Sequence, residues 1–131
     1  MIAKQIHVAI LDDDPSIRIA LVRLLQAAEM AARAYATSAE LFESVALKCP
    51  DCLLLDLQMM EMHGLDVLKY LNQRQIRIPT IVITGQDEKI SREARTSPDV
   101  VALLRKPLEA DQLIRMIEEI AAAPRPGTSF S

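Results

Sequence analysis

Leu53-Leu54-Leu55-Asp56-Leu57-Gln58 is the stretch that decides the fold of this 131-residue chain. Three consecutive leucines are typical of a strand that is buried on both faces, as strands of a parallel sheet are. A carboxylate at the end of such a strand is seldom buried without a partner. We therefore expect Asp56 to face a cleft at the edge of the sheet, together with other polar side chains.

Short apolar runs alternate with segments of helical periodicity on both sides of this strand. Strands are predicted at residues 7–11, 31–35, 52–55, 80–83 and 100–104. Apolar residues at helical spacing predict four helices with these inward faces: Ile17, Leu21, Leu24, Leu25 and Ala28; Leu41, Phe42 and Val45; Leu65, Leu68 and Leu71; Leu113, Ile117 and Ile120. The polar segment 86–99, which Pro98 interrupts, predicts a short or irregular fourth helix in chain order.

The ends of these segments carry the expected helix and linker signals. Asp14 before Pro15 is typical of a helix cap, and Thr37-Ser38 is typical of another. Five strands alternating with helices indicate an α/β domain with a doubly wound parallel sheet over residues 1–122. The segment 123–131 is rich in proline and small residues, so we expect a flexible tail or linker there.

The overall composition is that of a globular domain and restricts the classes of partner. Half of the residues are hydrophobic, a quarter are charged and the formal net charge is -3. This charge argues against binding of nucleic acid or an anionic membrane by electrostatics alone. No apolar run approaches the roughly 20 residues of a membrane span, and the N-terminus has no secretory signal. The expected location is the cytoplasm.

Polar side chains follow four of the five predicted strands. Asp12 and Asp13 follow the first strand, Asp56 the third, Thr84 the fourth and Lys106 the fifth. Because the carboxyl ends of parallel strands lie at the same edge of a sheet, these residues are expected to form one site.

The chemistry of these residue types fits phosphoryl transfer. Three carboxylates close together disfavour joint ionisation, so a cation is implied. Oxygen ligands without a nearby histidine or cysteine favour Mg²⁺ or Mn²⁺. Aspartate is a known nucleophile for acyl phosphates, and a lysine and a threonine hydroxyl bind phosphoryl oxygens. Asp56 is therefore the expected phosphoryl carrier.

In this order the residues resemble the receiver domain of two-component response regulators, over residues 5–122. The motifs that carry the resemblance are Asp12-Asp13, Asp56 with the loop to Gly64, Thr84-Gly85 and Lys106-Pro107. The resemblance implies a CheY-like, flavodoxin-like sheet with strand order 2-1-3-4-5. It also implies a signalling domain rather than an enzyme, whose only catalysis is Mg²⁺-dependent self-phosphorylation and autodephosphorylation.

The resemblance further implies a role for each site residue. Asp56 would accept a phosphoryl group from the phosphohistidine of a sensor kinase or a phosphotransfer protein. Asp13, Asp56 and the backbone carbonyl of Gln58 would bind the metal, with Asp12 acting through water. Lys106 would pair with Asp56 and then with its phosphate.

The resemblance also implies how the signal leaves the site. The Lys106-Pro107 bond is expected to be cis. Thr84 would move toward the phosphoryl group and shift the face made by the fourth helix, the fifth strand and the fifth helix. A homodimer or an effector domain would contact the protein through that face. Its charged residues are otherwise interpreted as a solvated surface: Arg92, Arg95, Asp111, Arg115, Glu118 and Glu119.

Four positions depart from the receiver pattern. Leu103 stands where receivers usually have Tyr or Phe as the partner of the threonine. Met60 replaces a common proline, and Asp99-Val100 replaces the usual Gly-Ala. Apart from Met60, these departures fall on the output face, so we expect intact phosphoryl chemistry with an unconventional output.

Two other functions stay open. Asp12-x-Asp14 also resembles the opening motif of haloacid-dehalogenase-type phosphatases, but the acid pair expected after the lysine is represented only by Glu109 and Asp111 within a predicted helix. A degenerate receiver that binds partners without phosphorylation is the third hypothesis, which Leu103 favours.

The two cysteines have a spacing that also occurs in redox proteins. Cys49-Pro50-Asp51-Cys52 lies where a helix is predicted to end and a strand to begin. A reactive first cysteine is normally stabilised at the N-terminus of a helix. We therefore interpret this pair as structural.

Overall fold

The computed structural model describes residues 5–59, 64–85 and 88–123. The strands are β1 His7–Leu11, β2 Ala31–Tyr35, β3 Cys52–Asp56, β4 Thr80–Thr84 and β5 Val100–Arg105. The helices are α1 Pro15–Ala27, α2 Ser38–Leu47, α3 Gly64–Gln73, α4 Glu88–Ala94 and α5 Ala110–Ala122. Asp14 and Thr37 are the predicted N-caps of α1 and α2, and their side chains accept hydrogen bonds from backbone N–H groups in the first turn of each helix.

All five strands are parallel and lie in the order β2-β1-β3-β4-β5. This confirms the predicted doubly wound sheet and its strand order. Every residue of β3 and β4 is buried, because these central strands have helices on both faces. The carboxyl ends of β1 and β3 therefore lie side by side, and β4 places Thr84 next along the same edge.

Two hydrophobic clusters hold the helices to the sheet. One contains Leu41, Val67 and Ala94, so it lies under α2, α3 and α4. The other contains Leu21 and Leu113, so it lies under α1 and α5.

The inward face of α3 contains one residue that was not predicted. Val67 is fully buried, and the predicted Leu65 is half-buried but contacts the same cluster. The helix begins at Gly64, and the face that meets the sheet runs through residues 64, 67, 68 and 71.

The edge strand β5 carries one extra residue. Thr80 pairs with Val100 but Ile81 pairs with Ala102, so Val101 is bulged. Val100 and Leu103 consequently contact the cluster under α4, whereas Ala102 and Leu104 belong to the opposite cluster. Val101 itself is 50% exposed.

The helix α4 is short, as predicted, with seven residues. Gln86, Met60 and the predicted tail from residue 124 onward lie outside the described residues. Within the described ranges, no helix is both long enough and apolar enough to cross a membrane.

Two helices end in the same left-handed turn without a glycine. After α1, Glu29 has φ 66° and donates to the carbonyl of Gln26. The next residue, Met30, donates to the carbonyl of Leu25. Gln75 has φ 58° in the equivalent position after α3. This pattern is a Schellman motif, whose left-handed position favours glycine.

We predict that Glu29→Gly raises the free energy of unfolding by about 1 kcal/mol, because glycine has no Cβ to strain the left-handed backbone. Urea denaturation measures the change. Glu29→Ala keeps the Cβ and should give no such gain; an equal gain from alanine would contradict the explanation.

Candidate functional site

Three carboxylates meet at the carboxyl ends of β1 and β3. Asp12, Asp13 and Asp56 each offer an oxygen atom, and these atoms lie within 4.8 Å of one another. Asp12 is 1% exposed and Asp56 is 3% exposed, whereas Asp13 is half-buried. The cluster thus has two buried members and one that reaches toward solvent.

Asp56 is held from two sides. Its Oδ1 accepts a hydrogen bond of 2.9 Å from the backbone N–H of Gln58. Its Oδ2 lies 3.6 Å from Nζ of Lys106, whose side chain is 35% exposed. A partly exposed ammonium therefore lies beside a buried carboxylate oxygen.

Asp12 is held by the start of α1. Its Oδ1 accepts from the backbone N–H of Asp14 at 2.9 Å, and Arg18 Nη1 donates to its backbone carbonyl at 2.9 Å. Burial raises the pKa of Asp12, and the neighbouring Asp56 adds to this increase, while the Asp14 N–H opposes it. Within the described part of the chain, the buried Asp12 Oδ2 has no hydrogen-bond partner.

The donor set fits a hard divalent cation. All three side chains offer carboxylate oxygens, the ligands that Mg²⁺ and Mn²⁺ prefer. A buried carboxylate oxygen without a partner is costly, and a cation at this cluster would satisfy Asp12 Oδ2 directly or through water.

We predict that Mg²⁺ stabilises the protein through this cluster. At a Mg²⁺ concentration ten times the dissociation constant, the free energy of unfolding should rise by about 1.4 kcal/mol. Thermal or urea unfolding with and without Mg²⁺ measures the gain. Asp12→Asn and Asp56→Asn should reduce it strongly.

Asp14→Asn is the matched control for the Mg²⁺ gain. Asp14 is the exposed N-cap of α1, and asparagine caps a helix equally well. The control should keep the full gain. Without metal, Asp12→Asn should also be more stable than the wild type, since it buries no charge. Equal gains in all variants would exclude metal binding at this cluster.

Thr84 and Lys106, the two remaining predicted site residues, are linked by a backbone hydrogen bond. The backbone N–H of Lys106 donates to the Thr84 carbonyl at 3.0 Å. The Thr84 side chain is fully buried, and its Oγ1 accepts a hydrogen bond from Ser91 Oγ in α4 at 3.4 Å. The Lys106–Pro107 peptide bond is cis. Leu103 lies half-buried on the α4 side of β5.

Two glycines allow close approach of the chain around Asp56. A Cβ at Gly64 would lie 2.8 Å from the backbone Cα of Leu57 and 3.0 Å from the Asp56 carbonyl oxygen. A Cβ at Gly85 would lie 2.9 Å from the side-chain oxygen of Gln58. The Gln58 side chain therefore lies against the corner that follows β4, next to the site.

The structure adds two residues that the sequence reasoning missed. Arg18 binds the Asp12 carbonyl, and Ser91 contacts the Thr84 hydroxyl. Arg18 lies six positions after Asp12, and Ser91 lies seven positions after Thr84. Each is in the helix that comes after its partner in the chain. Neither residue belongs to a motif or an apolar stripe, so the sequence carries no signal for them.

The cysteine pair lacks the features of a reactive site. Cys49 is exposed, and Cys52 is fully buried in β3. Burial raises the pKa of the Cys52 thiol to about 12. Such a thiol is almost entirely protonated at neutral pH and is therefore a poor nucleophile.

The charged residues interpreted as a solvated surface on α4, β5 and α5 are exposed, as predicted. Arg105 at the end of β5 forms an ion pair with Glu88 at the start of α4, and this pair lowers the pKa of Glu88. Both side chains are largely exposed, so the pair contributes little to stability.

Asp99, one of the departures from the receiver pattern, is buried before β5. It is 5% exposed, and its Oδ2 lies 3.5 Å from Nη1 of Arg77. Its backbone carbonyl accepts from the N–H of Thr80 at 2.8 Å. Burial raises the pKa of Asp99, and Arg77 only partly offsets this increase.

We predict that Asp99→Asn stabilises the protein more at pH 7 than at about pH 3. The raised pKa means that the folded state binds the Asp99 proton more tightly than the unfolded chain does. The wild type therefore loses stability as the pH rises from the unfolded-state pKa through the folded-state pKa. The loss is about 1.4 kcal/mol for every pH unit that separates these two pKa values. Asparagine does not titrate and avoids this loss.

Urea denaturation of both proteins across this pH range measures the difference. Asp111→Asn, at an exposed aspartate in α5, controls for the loss of one negative charge. A stability difference between Asp99→Asn and the wild type that does not change with pH would contradict the raised pKa.

Comparison with known proteins places these features in a family. The family model described as the response regulator receiver domain matches residues 8–118. The DNA-binding transcriptional regulator NtrC of Escherichia coli (strain K12) is 33% identical over 109 residues, which cover 83% of this chain and 23% of that protein. The response regulator protein TodT of Pseudomonas putida is 29% identical over 108 residues, covering 82% of this chain and 48% of TodT.

A solved structure shares the fold. The solved structure of FixJ-N superimposes with a TM-score of 0.78 at 31% identity and covers 91% of this chain and 94% of that one. This chain spans less than half of the length of the curated relatives described above.

Proposed function

Because this chain belongs to the response regulator receiver domain family, we propose that Asp56 accepts a phosphoryl group from a phosphohistidine. The donor is a sensor histidine kinase or a phosphotransfer protein of a two-component system. The observation that carries this proposal is the placement of a buried Asp56 carboxylate between two other acids and Lys106. An isolated structural aspartate has no need of such surroundings.

The transfer is a displacement at phosphorus. A carboxylate oxygen of Asp56 forms the new O–P bond while the N–P bond of the donor breaks, and the electron pair of that bond leaves with the imidazole nitrogen. Oδ1 is committed to the N–H of Gln58, whereas Oδ2 faces Lys106. We infer that Oδ2 is the attacking atom, because it accepts no backbone hydrogen bond among the described residues and faces the mobile ammonium of Lys106.

Lys106 stabilises the charge that moves during this step. Its ammonium lies 3.6 Å from Oδ2 before transfer and has room to follow the charge to the phosphoryl oxygens. A mobile ammonium on a flexible chain suits this role. Thr84 offers the second hydrogen bond to a phosphoryl oxygen, after its hydroxyl leaves Ser91.

Asp12, Asp13 and Asp56, with the backbone carbonyl of Gln58, would hold Mg²⁺ or Mn²⁺. When bound, the cation screens the negative charge shared by the carboxylates and the phosphoryl group. Asp12 contributes a buried oxygen that lacks any other partner among the described residues. The domain is a signalling module whose only chemistry is its own phosphorylation and dephosphorylation.

Output through the α4–β5–α5 face is expected to depart from the usual pattern. Leu103 has no ring that could change between exposed and buried rotamers, and it already contacts the cluster under α4. A complete two-state switch requires about 5.5 kcal/mol of differential binding. Without an aromatic lever we propose a smaller shift, transmitted to a homodimer contact or an effector domain at this face.

We predict that acetyl phosphate with Mg²⁺ adds the mass of one phosphoryl group to the protein. Asp56→Asn should show no added mass, because it lacks the nucleophile, and omission of Mg²⁺ should abolish the adduct. Intact-mass spectrometry is the measurement. Asp66→Asn, an exposed aspartate in α3, is the matched control and should be modified like the wild type.

The absence of an adduct, together with no response to beryllofluoride, would contradict the phosphoacceptor role. The second candidate function would then apply, a receiver-shaped module that binds its partner unmodified. Leu103 favours that alternative, because it is half-buried against the cluster under α4 and has no ring that could change rotamer. The phosphatase alternative is disfavoured, because Glu109 and Asp111 are exposed at the start of α5 and the described acid cluster contains neither.

A further inference from the structure

The strand β2 forms an open edge of the sheet. The N–H of Ala31 donates to Ile6, and the carbonyl of Tyr35 accepts from Asp12, so the odd-numbered residues of β2 bond to β1. In a parallel ladder the backbone N–H and C=O groups of the intervening residues point away from the neighbouring strand. The N–H and C=O groups of Ala32 and Ala34 therefore face the open edge, where they can pair with another strand.

Small side chains leave room on both faces of this edge. Three of the five residues of β2 are alanine. A cavity of about 450 Å³ lies between β2 and α2, and a second of about 580 Å³ lies between β2 and α1. The side chains of an added strand alternate between the two faces, so each cavity would receive every second residue.

The charged side chains that line these two cavities are all basic. The chain has 18 acidic and 15 basic residues. Among the described residues that line the two cavities there is nonetheless no aspartate or glutamate, while Arg18, Arg23, Arg33 and Lys48 are present. The cavities therefore form a basic groove on a chain that carries a net negative charge.

From these observations we propose that the edge of β2 is a docking site for an extended acidic segment of a partner protein, which adds to the sheet as a sixth strand. Backbone hydrogen bonds to Ala32 and Ala34 supply binding, and the basic residues select an acidic sequence. This surface is separate from the α4–β5–α5 face, but it adjoins the phosphoacceptor cluster through Arg18, which lines the groove and also binds the Asp12 carbonyl.

Segments of the same chain fit this groove less well. Residues 1–4 and 124–131 contain no acidic residue, and each segment contains one basic residue. Pairing of β2 with β2 of a second copy would bring the two copies of Arg33 and their basic neighbours together. An acidic partner avoids both conflicts.

A dye-labelled eight-residue peptide of alternating Glu and Val tests the proposal, with a Lys–Val peptide of the same pattern as the control. Fluorescence anisotropy measures binding. Hydrogen exchange followed by NMR measures the amides of Ala32 and Ala34, which should exchange about tenfold more slowly when about 90% of the protein is bound. The Lys–Val peptide should neither bind nor protect them.

The double variant Arg23→Glu/Arg33→Glu should weaken Glu–Val binding about tenfold. The control is Arg95→Glu/Arg115→Glu, which makes the same change in net charge away from β2. Arg95 directly follows α4 and Arg115 lies in α5, so this variant should leave binding unchanged. Equal melting temperatures establish that each variant is folded.

Three results would overturn the proposal. The first is no binding of the Glu–Val peptide at millimolar concentration. The second is binding that leaves exchange at Ala32 and Ala34 unchanged, which would indicate attraction by charge alone. The third is protection of these amides that rises with protein concentration when no peptide is present, which would assign the edge to a second copy.

Discussion

The crowding of three carboxylates at the carboxyl ends of β1 and β3 is the constraint on which the site depends. Burying ionised groups is costly, yet Asp12 and Asp56 are almost inaccessible. The parallel pairing of β1 with β3 leaves no alternative position for them, since Asp12 directly follows the buried strand β1 and Asp56 is the last residue of the buried strand β3. A stable core thus forces a local concentration of negative charge. The neighbouring donors only partly relieve it: Lys106, the backbone N–H of Gln58 and the backbone N–H of Asp14.

The site is also mechanically connected to the helices on both sides of the sheet. Arg18 ties α1 to the backbone of Asp12, and Ser91 ties α4 to the hydroxyl of Thr84. Lys106 is bonded to Thr84 through the backbone. A group that draws Lys106 and Thr84 toward Asp56 would therefore pull on β4, β5 and α4 together. Coupling of this kind needs no aromatic residue at position 103. Its size depends on how freely Ser91 in α4 moves with the Thr84 hydroxyl.

The sequence predicted the sheet because buried parallel strands are continuous apolar runs, of which residues 52–55 are the clearest. The rule that ligands gather at the carboxyl ends of strands then placed Asp12, Asp13, Asp56, Thr84 and Lys106 at one edge. Contacts made across turns were not predictable. Arg18, Ser91 and the Arg77–Asp99 pair depend on side-chain directions that no periodicity encodes. The prediction for α3 omitted Val67, which is fully buried, whereas the predicted Leu65 contacts the same cluster but is only half-buried. The roles of the site residues remain predictions.

The extra residue in β5 determines how this strand can be exchanged with that of a relative. The bulge at Val101 shifts the phase of the side-chain alternation, so that Val100 and Leu103 share a face although they are three positions apart. A regular strand of equal length, transplanted between Asp99 and Lys106, would put one of these two residues on the wrong face of the sheet. Chimaeras that exchange β5 must therefore carry the bulge with it, or shorten the strand by one residue before position 102.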